Sequence, residues 1–269
     1  MPSSIDHVIH ELDRIVRASA ERRSPLGYFA ALYKRVTIAV AVGIEQNQFE
    51  DGPRMEKLDI IFASRYLDAY RSFQAGEGAS QSWVAAFSPQ APRLTTLQYL
   101  LLGMNAHISL DLGIAAAAAA DGRPLSLKKD FHFINSILGS LIDDTQRRLT
   151  RIVPSLGIVD RLVGPVDEQL SIYSIAYARD KAWTQALELS LAPPRQQTQL
   201  IADRDRSVAR FSQCLSRPRS LPVRLLLLAI RFFERGDVRS RIELLEHLPV
   251  AEPQSDESAK PSQNMRTRR

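Results

Sequence analysis

Thiols, lysines and strand-forming patterns are scarce in this chain, and each scarcity removes a class of function. Cys214 is the only cysteine among 269 residues. No internal disulfide, CxxC pair or thiolate zinc cluster can form. A buried structural thiol is the expectation for Cys214, and such sparing cysteine use fits a reducing, cytoplasmic setting. There is no Walker loop, no GxGxxG opening a helix, no GxSxG and no HExxH. Glu243 and His247 are one residue too far apart for a Glu-x-x-His di-iron motif, and no second copy exists. No alternating apolar run is bounded by hairpin turn signals, so no strand is predicted, and no fixed-period repeat is visible. The opening MPSSIDHVIHELDRIV carries acids where a secretory signal has its apolar core, so no signal peptide is expected.

Lysine is only six of the 35 basic side chains, and the rest are arginine. The net charge is +5. Eleven arginines and four acids (Asp203, Asp205, Glu234 and Asp237) lie between Arg195 and Arg241, a local excess of +7. Nucleic-acid binding is disfavoured, because the arginines are spread around several helices and base-stacking aromatics are scarce there. Weak binding of an anionic surface through residues 195–241 stays open.

What is present is helical periodicity. Ser3 or Ser4 can cap a first helix whose Ile5, Val8, Ile9, Leu12, Ile15 and Val16 share one face. His7 and His10 point to the polar side. Further helices are predicted from Ser24-Pro25 to about Gln48, from Arg54 to about Phe73, and around Trp83. A long one follows Pro92, and the next is capped by Ser126. Others cover 167–191, roughly 196–215 and 221–234. The last of these, LPVRLLLLAIRFF, is apolar almost all round and should be buried on most sides. The expected fold is all-α, an irregular bundle of about eight helices with a central buried helix near 94–120. Residues 1–248 would form a single α-helical domain. Residues 249–269, polar and without aromatics, would form a disordered tail.

The central segment, Leu94 to Ala120, contains no Lys or Arg and is long enough to cross a bilayer. Gln98, Asn105, His107, Ser109 and Asp111 interrupt it, and an ionisable pair at mid-span is expensive in lipid. A buried core helix is therefore predicted, with no transmembrane span. At 100° per residue, Leu97, Leu100, Met104, His107 and Asp111 fall within about 80° of one another. His107 and Asp111 thus share the apolar stripe on adjacent turns, where their side chains can meet. A buried carboxylate costs several kcal/mol unless paired, so something must compensate for Asp111. Asn105 points away and should bond a neighbouring helix. Asp59 sits in line with Phe62, Ala63 and Tyr66, and Asp130 in line with Ile134 and Ile137. Arg65, Arg179 or backbone donors could neutralise these acids. Tyr33, Tyr66, Trp83 and Trp183 read as core residues with a polar atom to satisfy, and Arg179 as stacking on Trp183 or anchoring a carboxylate.

Gly103-Met104-Asn105-Ala106-His107-Ile108, followed by Asp111-Leu112, resembles the signature of an uncharacterised bacterial family, domain of unknown function 5995. Leu58-Asp59, Phe62-Ala63-x-Arg65-Tyr66, Asp130-Phe131 and Ala178-Arg179 with Ala182-Trp183 resemble it too, over roughly Gly27 to Leu189. In the family pattern Asn commonly stands where this chain has Ser109. The resemblance implies a helical domain and no particular activity.

Three readings of His107, Asp111 and Asp59 stand open: a structural polar network, a divalent-metal site of one His with carboxylates, and metal-free acid–base or ligand-orienting duty. The leading functional expectation is a helical enzyme or metal-binding protein acting on a small molecule. His107, Asp111 and Asp59 would be its catalytic or metal residues, and Asn105, Tyr33, Tyr66, Arg65, Asp130 and Arg179 its ligand-binding surroundings. The alternative is a non-catalytic binding or scaffold protein in which the cluster only fixes helix register.

Overall fold

The computed structural model describes residues 2–88, 94–152 and 175–247. The described residues form eleven α-helices and no strand. The helix capped by Ser4, α1 (Ile5–Glu21), lays Val8, Leu12 and Val16 against α2 (Leu26–Glu45). Asp51 caps α3 (Gly52–Ala75), accepting from the Arg54 amide. Ser80 caps the short α4 (Gln81–Phe87). A capping box of Thr95 and Gln98 starts α5 (Thr96–Ala106). A single π turn, His107–Asp111, then joins α5 to α6 (Leu112–Ala120), so the two make one continuous central helix. The chain continues with α7 (Pro124–Ile152), α8 (Ile175–Leu191), α9 (Pro194–Ser216), α10 (Leu221–Phe233) and α11 (Val238–Glu246).

The π turn divides the core. Upstream of it, Leu100, Leu102 and Ala106 join an apolar cluster with α1, α2, α4 and α11. Downstream, Leu112, Ala115, Ala116 and Ala119 join a second cluster with Met55, Leu58, Phe131, Ala182 and Trp183. Small residues let the backbones close up at both contacts. A Cβ on Gly103 would stand 2.4 Å from Cγ of Phe29, and one on Gly113 only 2.8 Å from the Ala182 carbonyl oxygen. Outside partners hold the central helix: Gln98 donates to the Leu215 carbonyl, and Arg204 donates to the Ser109 carbonyl inside the π turn.

Several expectations change. Among the described residues the helices number eleven instead of about eight. One difference is the π turn, which splits the central helix. Another is α11, a nine-residue helix capped by Asp237. The helix after the central one begins at Pro124, two residues before Ser126, whose hydroxyl donates back to the Arg123 carbonyl. Cys214 is exposed on α9, so it is no core thiol. The apolar α10 is half exposed, since it packs at the edge of the bundle by Val223 and Ile230 alone among its fully buried side chains. Residues 167–174 and 249–269, expected to be helix and disordered tail, lie outside the described residues. Leu26–Glu45 and Thr96–Ala120 are both long and apolar enough to cross a bilayer, and 56% and 67% of their apolar windows are buried within the fold.

Candidate functional site

Asp111, in the π turn, is almost completely buried and takes three donors. Arg65 Nε, from α3, lies 2.6 Å from Oδ1, and Trp83 Nε1, from α4, lies 2.8 Å from Oδ2. His107 Nδ1 is the third, at 3.4 Å from Oδ2. The compensation demanded by the sequence is therefore an arginine and an indole brought from two other helices. These three contacts also fix the imidazole. A carboxylate only accepts, so Nδ1 carries the proton and Nε2 keeps its lone pair.

The imidazole lies in an aromatic cage. Phe62 stacks on it with centroids 3.6 Å apart and planes 7° from parallel. Tyr33 meets it edge-on at 4.4 Å, and Phe29, Trp83 and Tyr66 stand further round. Burial pushes the His107 pKa below the ordinary histidine value, with the Asp111 carboxylate working the other way. Burial favours the neutral ring. Nε2 has no hydrogen-bond partner among the described residues.

His107 also lines a cavity of about 380 Å³ between α2, α3, the central helix and α7. Leu32, Leu101, Met104, Ile108, Leu138 and Leu141 supply much of its wall. Tyr33 and Asp59 also line it, and the buried Asp59 Oδ2 has no hydrogen-bond partner among the described residues. Burial, with the charge of Glu56 adding, pushes the Asp59 carboxyl from 3.8 up to about 7. Burial and the nearby Asp59 charge hold the Tyr33 phenol well above its usual value.

The remaining candidates sit elsewhere. Asn105 uses its amide on α9, donating to the Val208 carbonyl and Ser212 Oγ, as its direction on the helix implied. It borders a separate, more open cavity with Ser109, Lys181 and Arg204. Tyr66 is in the cage, with Oη lacking a hydrogen-bond partner among the described residues, but it does not line the main cavity. Asp130 accepts from the amides of Glu50 and Asp51 and lies 3.6 Å from Arg54, so it ties α7 to the turn before α3. Arg179 reaches the cavity wall, but it donates to Asn135 and the Phe131 carbonyl and lies over the Phe131 ring, not over Trp183. Sequence spacing missed Phe62 as the imidazole's stacking partner and Trp83 as a donor to Asp111. A signal for Phe62 was present, since it shares a helix face with Asp59.

The metal reading is not supported. Among the described residues no three His, Cys, Asp or Glu side chains gather around a point that could hold an ion. Both oxygens of Asp111 face N–H donors, one of them a guanidinium, where a cation would meet repulsion.

Comparison with curated proteins and with solved structures finds no match. The model of the family described as "Family of unknown function (DUF5995)" matches residues 5–218, which take in every element of the site. This chain therefore belongs to the DUF5995 family.

Proposed function

We propose that the protein binds an apolar small molecule in the cavity beside the central helix, and that His107 is its polar contact and proton acceptor. One observation carries the reading. A buried imidazole whose tautomer is fixed by Asp111 leaves Nε2 unpartnered, on a side chain lining an otherwise greasy cavity of about 380 Å³. Ligand pockets typically span about 300–1,000 Å³ and combine apolar walls with a few polar groups. Nε2 is itself covered by the cage, so a ligand hydroxyl or amide N–H satisfies it once a cage side chain gives way. A substrate with an acidic proton there can pass it to a neutral, base-ready ring. Asp111 acts through His107, and its saturated contacts with Arg65 and Trp83 favour a structural role for that carboxylate, as the scaffold alternative requires.

The test is calorimetric titration with a long-chain alcohol and the alkane of equal length. The alcohol should bind saturably and about tenfold tighter than the alkane, the worth of one buried hydrogen bond. His107→Phe should abolish that preference, and Met104→Trp, which fills the cavity, should weaken both ligands. Absence of saturable binding, or binding indifferent to Met104→Trp, refutes the proposal.

A further inference from the structure

Arg179 is the odd group in the wall of the large cavity. It stands on α8 one turn after Ile175, and both line a space otherwise walled mainly by aliphatic side chains and rings. Arg179 is only 4% exposed. A charge taken out of water is costly until a counter-charge offsets it, so buried arginines are normally paired with an acid. Arg179 has no such pair among the described residues. Its Nε donates to Asn135 Oδ1 and its Nη2 to the Phe131 carbonyl, both neutral acceptors on α7. The Phe131 ring beneath it is neutral as well. Asp180, next in the chain, has its side chain 64% exposed and its carboxylate 3.9 Å from His132. Nη1 has no hydrogen-bond partner among the described residues, yet it is not one of the polar atoms sealed from solvent. Burial pushes the guanidinium below its ordinary value, to about 10, with the Asp180 charge working the other way. It is still a cation at neutral pH.

The other ionisable side chains of the wall leave this charge unopposed. Burial favours the neutral His107 ring and holds the Asp59 proton up to about 7. The shape of the cavity suits a chain. Ile108 and Ile134 pack with the downstream core cluster, Leu101 and Leu149 with the upstream one, and all four line the cavity. The cavity therefore runs along the central helix from one cluster to the other. From Ile108 back to Leu97 its wall is about 16 Å long at 1.5 Å per residue, and the α7 wall from Leu138 to Leu149 is the same. Arg179, bonded to Phe131, stands at the downstream end.

We infer that the cavity takes a straight-chain carboxylate, its oxygens on the Nη1 side of Arg179 and its hydrocarbon running beside α5 and α7 toward Leu97 and Leu149. The inference rests on the reading of the cavity as a ligand site and names the class of ligand. A carboxylate is planar and singly charged, so one guanidinium matches it in geometry and in charge. A phosphate dianion calls for a second cation, and Arg179 is the only Lys or Arg lining the cavity among the described residues.

The experiment is calorimetric titration of the full chain at pH 6.5 with dodecanoate, dodecanol and dodecylammonium. Dodecanoate should bind at least tenfold tighter than dodecanol, the difference expected of hydrogen bonds to a charged group, and dodecylammonium should be rejected. Arg179→Gln keeps a neutral donor at the position. It should erase the preference for dodecanoate while holding dodecanol affinity within about twofold, and Arg179→Lys should retain part of the preference. Dodecanol binding as tightly as dodecanoate overturns the inference and leaves the ligand-site reading standing. So does an Arg179→Gln variant that still prefers dodecanoate. No saturable binding of either ligand overturns both. If Arg179→Gln loses dodecanol as well, Arg179→Lys decides: a retained preference for dodecanoate supports the inference, and its loss overturns it.

Discussion

Asp59→Asn offers the sharpest check on the electrostatics of the cavity. Burial raises the Asp59 carboxyl from 3.8 to about 7, with Glu56 adding to the effect. The folded protein thus holds this proton to a higher pH than the unfolded chain does. Between these two values unfolding releases a proton, so rising pH favours the unfolded state. The stability that protonated Asp59 contributes is complete below pH 4 and is lost as pH climbs to about 7. At roughly 1.4 kcal/mol per unit of pKa difference, the whole loss is about 4 kcal/mol at most. Asparagine is nearly isosteric with the protonated acid and does not titrate. The two proteins should therefore be about equally stable near pH 4.5. The Asn variant should then gain steadily on the wild type to pH 7, with no further gain above pH 8. Urea denaturation of both proteins at four pH values measures the difference, in which every other titrating group cancels. A difference independent of pH, or one that shrinks as pH rises, would refute the burial argument.

Four further outcomes follow from the contacts around the π turn. Trp83→Phe keeps the ring but removes the indole N–H that serves Asp111 Oδ2, and should cost about 2 kcal/mol, the value of a hydrogen bond to a buried charge. Arg65→Met should cost more, about 3 kcal/mol, because it strands a buried carboxylate. Both are read from urea midpoints at pH 7. Gly103→Ala places a methyl 2.4 Å from Phe29 and should destabilise by about 1–3 kcal/mol through overpacking, with a shift in near-ultraviolet dichroism as the aromatic cage moves. His107→Gln should flatten the acid limb of the stability curve. A histidine whose pKa is lowered by burial loses its contribution as pH falls from 6.5 through the folded value, whereas glutamine does not titrate.

The parts of this fold legible in the sequence were those set by local periodicity. The 3.6-residue repeat in α1 identified its buried face, and the i,i+4 spacing of His107 and Asp111 identified the central pair. The same wheel sent Asn105 to the far side, where it bonds α9. Contacts made across long separations left no such trace. Trp83 reaches Asp111 from 28 residues away, and nothing in its own neighbourhood marks it as a donor; Arg65, 46 residues away, was one of several groups that could neutralise the buried acids, and it is the one that reaches Asp111. The apolarity of α10 was plain, but apolarity states what a segment would gain by burial, not whether the bundle has room on both sides of it. Cys214 was misjudged for a related reason, since the average habit of cysteine says nothing about which face of α9 it occupies. The π turn was invisible because it follows from how two packed regions fix the ends of one helix, not from any residue's propensity.

That turn has a mechanical consequence. The central helix is in effect two shafts, α5 seated among α2, α4 and α9, and α6 among α3, α7 and α8. The coupling between the shafts is the five-residue segment that holds His107 and Asp111. Inserting one more residue there in regular α geometry would turn one shaft against its bearings by about 100°. The alanines at 115, 116 and 119 would then leave their close contact with α8, or His107 would swing off Phe62. The residue count between Met104 and Ala115 thus sets the timing of the whole bundle, whatever side chains fill it.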